Sequence, residues 1–308
     1  MKWQGRRQSR NVRRGRSRGG RASRGMIPFP AGRIGGTGLI IIIVLVLIFG
    51  GDFLSSGRSE SRNNVGTYEN ASETITPENE LEAFLSVVLA DTEDVWHEVF
   101  AVYGERYREP TLTLYSGSVQ SGCGFASSDL GPFYCPADEN IYIDPSFYYE
   151  LKNKFDASGD FAFAYVLAHE VGHHVQKLMG TTDYVFAKQD QLSEKEFNQY
   201  LIRLELQADY YAGVFAHYVQ NKGYLEIGDI EEAMNAAAGV GDDAIQRKAI
   251  GKVIPDQFTH GTSEQRMRWF ERGYRYGDLE HGDTFTAHEL FVNDWDDIGW
   301  YSDFATAA

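Results

Sequence analysis

The stretch YVLAHEVGHHVQ, Tyr165 to Gln176, contains the pattern His-Glu-x-x-His at His169, Glu170 and His173. On a helix, residues four apart project from one face about a turn from each other, so both imidazoles can reach a single ion. Glu170 is rotated by about 100° from His169, which sets its carboxyl beside such an ion instead of on it. Two ligands with a carboxylate next to them are the parts needed for metal-assisted hydrolysis, with the carboxylate as general base. Phe161 to Leu167, just upstream, is an unbroken apolar run, so the helix must be largely buried. Three polar groups in a buried helix are costly without partners, and a bound cation removes that cost. The string alone arises by chance often enough that a third ligand must carry the rest of the case.

A catalytic zinc takes three protein ligands and keeps one position open. In RLELQADYYAGVFAHY, the residues Leu204, Ala208, Tyr211 and Phe215, with Leu201 before them, trace a buried stripe. Glu205 and Asp209 lie one turn apart within that run. Either the two acids are solvated at a helix edge, or Glu205 binds the metal. In the second case Asp209 accepts the remaining ring N–H of a ligand histidine and fixes its tautomer.

The motif helix is expected to be capped by Asp160 or Ser158, to carry Lys177 in its last turn and to end at Gly180. Thr76-Pro77-Glu78 opens an earlier helix with the stripe Leu81, Phe84, Leu85, Val88 and Leu89, and a second helical stretch surrounds Trp96, Val99 and Phe100. Between these, Thr111 to Tyr115 and Asn140 to Asp144 alternate as strands. The latter is a plausible sheet edge for an extended substrate. No internal repeat, phosphate-binding glycine loop or GxSxG elbow is present.

Charge is distributed in two blocks. Residues 1–33 hold eleven Lys and Arg and no acid, while the rest of the chain has 18 basic against 44 acidic side chains. The sign changes at an uncharged stretch of 18 residues, 34–51, in which Leu39 to Phe49 is wholly apolar. That length just suffices to span a bilayer. The alternatives are a cleaved signal peptide and a buried core helix, and the long basic region ahead argues for an uncleaved anchor. The positive-inside rule then puts residues 1–33 in the cytoplasm and the remainder across the membrane. This position against a span explains the basic arm better than nucleic-acid binding does. Cys123 and Cys135 are the only cysteines, close together in a glycine-rich loop. On the oxidising side such a pair is a disulfide, the other reading being two unpaired thiols.

Five segments together resemble the bacterial neutral zinc metallopeptidases that carry an N-terminal membrane anchor. They are WQGRR (Trp3 to Arg7), GPFYCPAD (Gly131 to Asp138), YVLAHEVGHHVQKL (Tyr165 to Leu178), ELQAD (Glu205 to Asp209) and FTHGTSEQR (Phe258 to Arg266). The resemblance implies a zincin-type fold, with His169, His173 and Glu205 as ligands of one zinc per chain and Glu170 as the base. Two positions depart from the family pattern, which has cysteines where this chain has Tyr210 and Gly282. Their joint absence suggests a disulfide lost as a unit, which would leave the C-terminal segment less firmly held. His260, in THGTSEQR, is either a donor to the developing oxyanion or a cap for the helix starting near Ser263. His174 faces away from the metal, into packing or solvent.

These readings combine into an α+β protein, a mostly helical zincin-like metallopeptidase domain with a small sheet, preceded by one N-terminal transmembrane helix. Its expected parts are a basic cytoplasmic tail (1–33), an anchor in the lipid bilayer (34–52), a flexible linker (53–75) and the zinc metallopeptidase domain (76–308). The expected activity is hydrolysis of peptide or protein substrates by a membrane-anchored enzyme whose catalytic domain lies outside the cytoplasm, with no nucleic-acid partner. A catalytically silent zinc-binding scaffold and a zinc hydrolase of another amide, such as cell-wall peptide, are the competing readings. A scaffold has no use for a base at Glu170.

Overall fold

Pro77, whose fixed φ suits the first helical turn, opens helix α1, which runs unbroken over Pro77–Val102. The computed structural model describes residues 1–15, 77–287 and 290; the expected anchor at 34–52, the linker at 53–75 and Thr76 lie outside them. Sequence alone had divided α1 in two, because Asp91, Thr92, Glu93 and Asp94 interrupt its apolar period. Asp91 and Glu93 are nevertheless buried, and their partners are Arg6 and Arg7, far away in the chain.

A four-stranded sheet contains β1 (Val12–Arg14), β2 (Thr111–Leu114), β5 (Phe133–Cys135) and β6 (Asn140–Ile143), in the order β1-β2-β6-β5. β1 and β6 both pair with β2 in parallel, and β5 is antiparallel to β6. β3 (Ser118–Ser121) and β4 (Gly124–Ser127) form a separate hairpin. Asn140 to Ile143 is therefore an interior strand, hydrogen-bonded on both sides, and not the edge the sequence suggested. The edge on that side is β5, whose residues are buried on both faces and so show no alternation to read. The expected disulfide between Cys123 and Cys135 is present, with Cα atoms 5.8 Å apart. It ties the hairpin to β5.

The remaining helices are α2 (Phe147–Lys154), α3 (Asp160–Leu178), α4 (Thr181–Phe186), α5 (Glu194–Asn221), α6 (Asp229–Gly239), α7 (Asp242–Ile250) and α8 (Ser263–Tyr276). α3 is the axis of the domain, buried from Phe161 to Gln176 and packed against α1, α5, α6 and β5. Such an all-round apolar helix can only be interior. Its N-cap is Gly159, with no side-chain cap bond, in place of the expected Asp160 or Ser158. Asp160 is instead turned toward the amine of Met1, 2.6 Å away. α5 starts with a capping box between Ser193 and Glu196.

Glycine sets the helix spacing at two crossings. A Cβ on Gly172 would lie 3.0 Å from the Ala208 carbonyl oxygen, so the glycine of HEVGH lets α3 close on α5. At the α5–α8 crossing, a Cβ on Gly213 would sit 2.0 Å from the Phe270 carbonyl oxygen, and one on Gly273 1.9 Å from that of Tyr210.

Of the expected basic tail (1–33), residues 1–15 are described. Residues 1–15 are built into the domain: Met1 and Ser9 are buried, Trp3 packs edge-on to Phe84, and β1 completes the sheet. Arg6, Arg7 and Arg14 find acidic partners on α1.

The backbone approach at the α5–α8 crossing leaves no room for a side chain. Gly273→Ala should therefore destabilise the protein by about 3 kcal/mol, the upper end for overpacking a core. Urea unfolding checks this, and a change within about 0.5 kcal/mol would contradict the tight crossing.

Candidate metal centre

α3 and α5 meet where Gly172 faces Ala208, and the side chains one turn to either side converge there. His169 Nε2 is 3.3 Å from Glu205 Oε2, and His173 Nε2 is 3.5 Å from Glu205 Oε1. Ligand atoms on a tetrahedral zinc, each at about 2.0 to 2.2 Å, are separated by about 3.3 to 3.6 Å. Spacing therefore suits one zinc ion. All three side chains are buried.

The other ring nitrogens are already committed, which fixes how the lone pairs face. His169 Nδ1 is 2.8 Å from Asp209 Oδ1, and His173 Nδ1 is 2.9 Å from Gln176 Oε1. Both imidazoles then donate from Nδ1 and present the Nε2 lone pair to the shared centre. Gln176 is itself held, donating to the Leu204 carbonyl at 2.6 Å. Charge also favours a cation. Burial opposes protonation of His169, yet Asp209 and Glu205 outweigh it and lift its pKa to about 9. Burial likewise opposes ionisation of Glu205, but His173, His169 and His260 hold its pKa well below the usual carboxylate range. The donor set, the spacing and the field all fit zinc.

Asp209 lies behind His169, fully buried. Beyond the imidazole it accepts hydrogen bonds from Tyr165 Oη and from Arg266 Nε (2.8 Å) and Nη2 (3.0 Å). Burial would raise its pKa, but the Arg266 guanidinium and His169 keep it low. The alternative of Glu205 and Asp209 as solvated acids is thus excluded by their burial.

Glu170 points into the same cleft without joining the three donors. Burial raises its pKa against the pull of His173, His169 and the nearby backbone N–H of Tyr134 on β5. His260 also lines this cleft. It is not a helix cap, since Thr262 caps α8. Its Nδ1 lies 3.1 Å from Asp242 Oδ1, while Asp242 Oδ2 accepts the backbone N–H groups of Thr259, His260 and Gly261. His174 is turned away and fully buried, between Tyr134 Oη and the Arg108 carbonyl.

Sequence reasoning missed Arg266, Asp242 and Gln176. Gln176 was within reach, three residues after His173 on the same helix. Arg266 closes the quoted FTHGTSEQR segment but has no spacing relation to α3. Asp242 is one of several acids in a glycine-flanked turn, and nothing local marks it.

A helix bearing His-Glu-x-x-His thus meets a glutamate from a second helix, and the three side chains form a candidate metal site. Residues 1–285 match the family described as "putative neutral zinc metallopeptidase", and the chain belongs to that family. It is 46% identical over 290 residues to the uncharacterized protein YpfJ of Escherichia coli K12, covering 92% of this chain and 99% of that one. It is 44% identical over 195 residues to the uncharacterized protein Rv2575 of Mycobacterium tuberculosis, covering 60% of this chain and 65% of that one. No solved structure matches.

Asp209→Ala should weaken zinc binding about 10- to 100-fold by releasing the His169 ring. Arg266→Ala should cost about 3 to 5 kcal/mol of stability, because it leaves the Asp209 carboxylate buried and unpaired. Competitive chelator titration and urea unfolding measure the two effects. An Asp209→Ala protein with unchanged zinc affinity would show that the ring needs no support.

Proposed function

We propose that the protein is a zinc-dependent peptidase in which His169, His173 and Glu205 hold one zinc and Glu170 is the general base. The observation that carries this is the position of Glu170. It lines the cleft, next to the donors but not among them. A zinc ion bound there supplies Lewis acidity, making a water easier to ionise and a carbonyl easier to attack.

The protein's own residues do the rest. Glu170 accepts a proton from the attacking water and passes it to the leaving amine. Its raised pKa suits both transfers. His260, aligned by Asp242 through Nδ1, presents Nε2 to the cleft and serves as the donor to the developing oxyanion. β5 borders the cleft through Phe133 and, as the sheet edge nearest Glu170, offers main-chain groups to an extended peptide. Phe133, Phe147, Phe155, Val166 and Ile245 make the walls chiefly apolar, so peptides with large apolar residues beside the scissile bond are the favoured substrates. Residues 34–52 attach the enzyme to a membrane.

A silent zinc scaffold is disfavoured by Glu170 and by the Asp242–His260 pair, neither of which a binding site requires. Cleavage of cell-wall amides uses the same machinery and is separated by a panel of unfolded proteins, peptides and cell-wall fragments.

Glu170→Gln should retain about one zinc per chain while losing about 10² to 10⁴ in rate. His260→Ala should likewise keep its zinc and lose about 10² to 10³ in kcat. Parent-like cleavage by Glu170→Gln on the preferred substrate rules out the peptidase reading. Glu170 must be ionised to accept a proton, and its pKa lies above the ordinary 4.5. At constant zinc content, kcat/KM should fall as pH drops and Glu170 takes up a proton; an acid limb that Glu170→Gln leaves unchanged would show that another group is the base.

A further inference from the structure

Residues 1–15 dock onto the domain through backbone, ionic and ring contacts. β1 is bonded to β2 in register, Val12 opposite Leu112 and Arg14 opposite Leu114, and the Gly15 N–H continues the ladder to the Leu114 carbonyl at 2.7 Å. The Ser9 N–H reaches the Ser86 carbonyl at 2.9 Å. Arg6 pairs with Asp91 and stacks on Tyr224, 3.3 Å from the ring centroid. Arg7 pairs with Glu93 at 2.9 Å and Asp94 at 2.7 Å. Glu93 also takes the Ser9 hydroxyl and the Asn11 amide.

This is not a loosely held tail. Asp91 is 6% and Glu93 3% exposed, so both carboxylates are covered where the arm meets them. β2 would lose the strand that covers it. The two ends of the intervening chain are also fixed close together, since Arg14, next to Gly15, pairs at 2.6 Å with Glu82 in the second turn of α1.

A chain that crossed a bilayer once between Gly15 and Pro77 would put the arm and the domain on opposite faces, where none of these contacts could form. We infer that residues 1–15 and the metal-centre domain lie on the same side of any membrane the chain meets. This replaces the single-pass arrangement with a cytoplasmic N-terminus that the charge pattern suggested. The charges have another use: arm cations are matched to acids of α1, and the asymmetry that reads as a topology signal is in this part a docking complement. The inference rests on the arm contacts alone and is independent of the peptidase reading.

Sidedness can be measured on the full-length protein in bacterial spheroplasts. Cys123 and Cys135 are joined to each other, so a single added cysteine is the reactive thiol. Gln8→Cys on the arm and Asn153→Cys on the domain, both exposed positions, should respond identically to a membrane-impermeant maleimide, both labelling before permeabilisation or both only after it. Labelling of one before and the other only after would overturn the inference. A second variant, Arg7→Cys with Asp94→Cys, tests docking directly. A short bis-maleimide should link the pair within one chain in the membrane fraction, and no link would overturn it.

Discussion

One buried carboxylate, Asp209, holds the centre of this protein together. It receives Tyr165 and His169 from α3 and the guanidinium of Arg266 from α8, while itself belonging to α5. Three helices thus share a charge that none could bury alone, since an isolated ion in the interior is prohibitively costly. The glycines at the crossings follow from the same requirement. Without Gly172 against Ala208, and Gly213 against Gly273, the backbones could not come close enough for the short Asp209 side chain to reach both neighbours. The geometry of the candidate metal centre depends on this arrangement, because the His169 ring is hydrogen-bonded to Asp209.

Much of the centre was legible because it is local. His169 and His173 share a helix face by virtue of spacing, and Glu205 and Asp209 repeat that relation within one apolar stripe. Spacing left the choice of a third candidate ligand open, which came from the family resemblance, and could not supply the partners contributed by other elements. Arg266 and Asp242 are set by tertiary packing, and a charged residue in an apolar or glycine-rich context has the same appearance whether it is buried or solvated. The same limit explains the division of α1. Asp91 and Glu93 look like surface residues until Arg6 and Arg7 arrive from the other end of the chain. β5 failed to register because a short strand buried on both faces has no alternation, and β6 was then mistaken for the edge.

The two positions that depart from the family pattern are informative in their own right. Tyr210 and Gly282 are neighbours: a Cβ on Gly282 would lie 2.6 Å from the Tyr210 ring. The ring fills the space beside a residue with no side chain, and its hydroxyl donates to Asp278 at 2.9 Å. Gln207 adds a bond to the Gly282 carbonyl, also at 2.9 Å. The segment after α8 is thereby tied to α5 by packing and hydrogen bonds where the pattern has cysteines. These contacts hold Gly282 and Asp278 against α5 without a disulfide.

The central claim is that α3 and α5 together hold a single zinc through His169, His173 and Glu205. Anomalous diffraction from zinc-loaded crystals, collected on both sides of the zinc edge, addresses it most directly. The account predicts one strong peak per chain, with His169 Nε2, His173 Nε2 and a Glu205 oxygen each at about 2.0 to 2.2 Å and Glu170 outside bonding distance. A peak at the acidic group of Asp160, Asp229 and Glu232 with none between the two histidines, or Glu170 bound directly to the metal in place of Glu205, would contradict it.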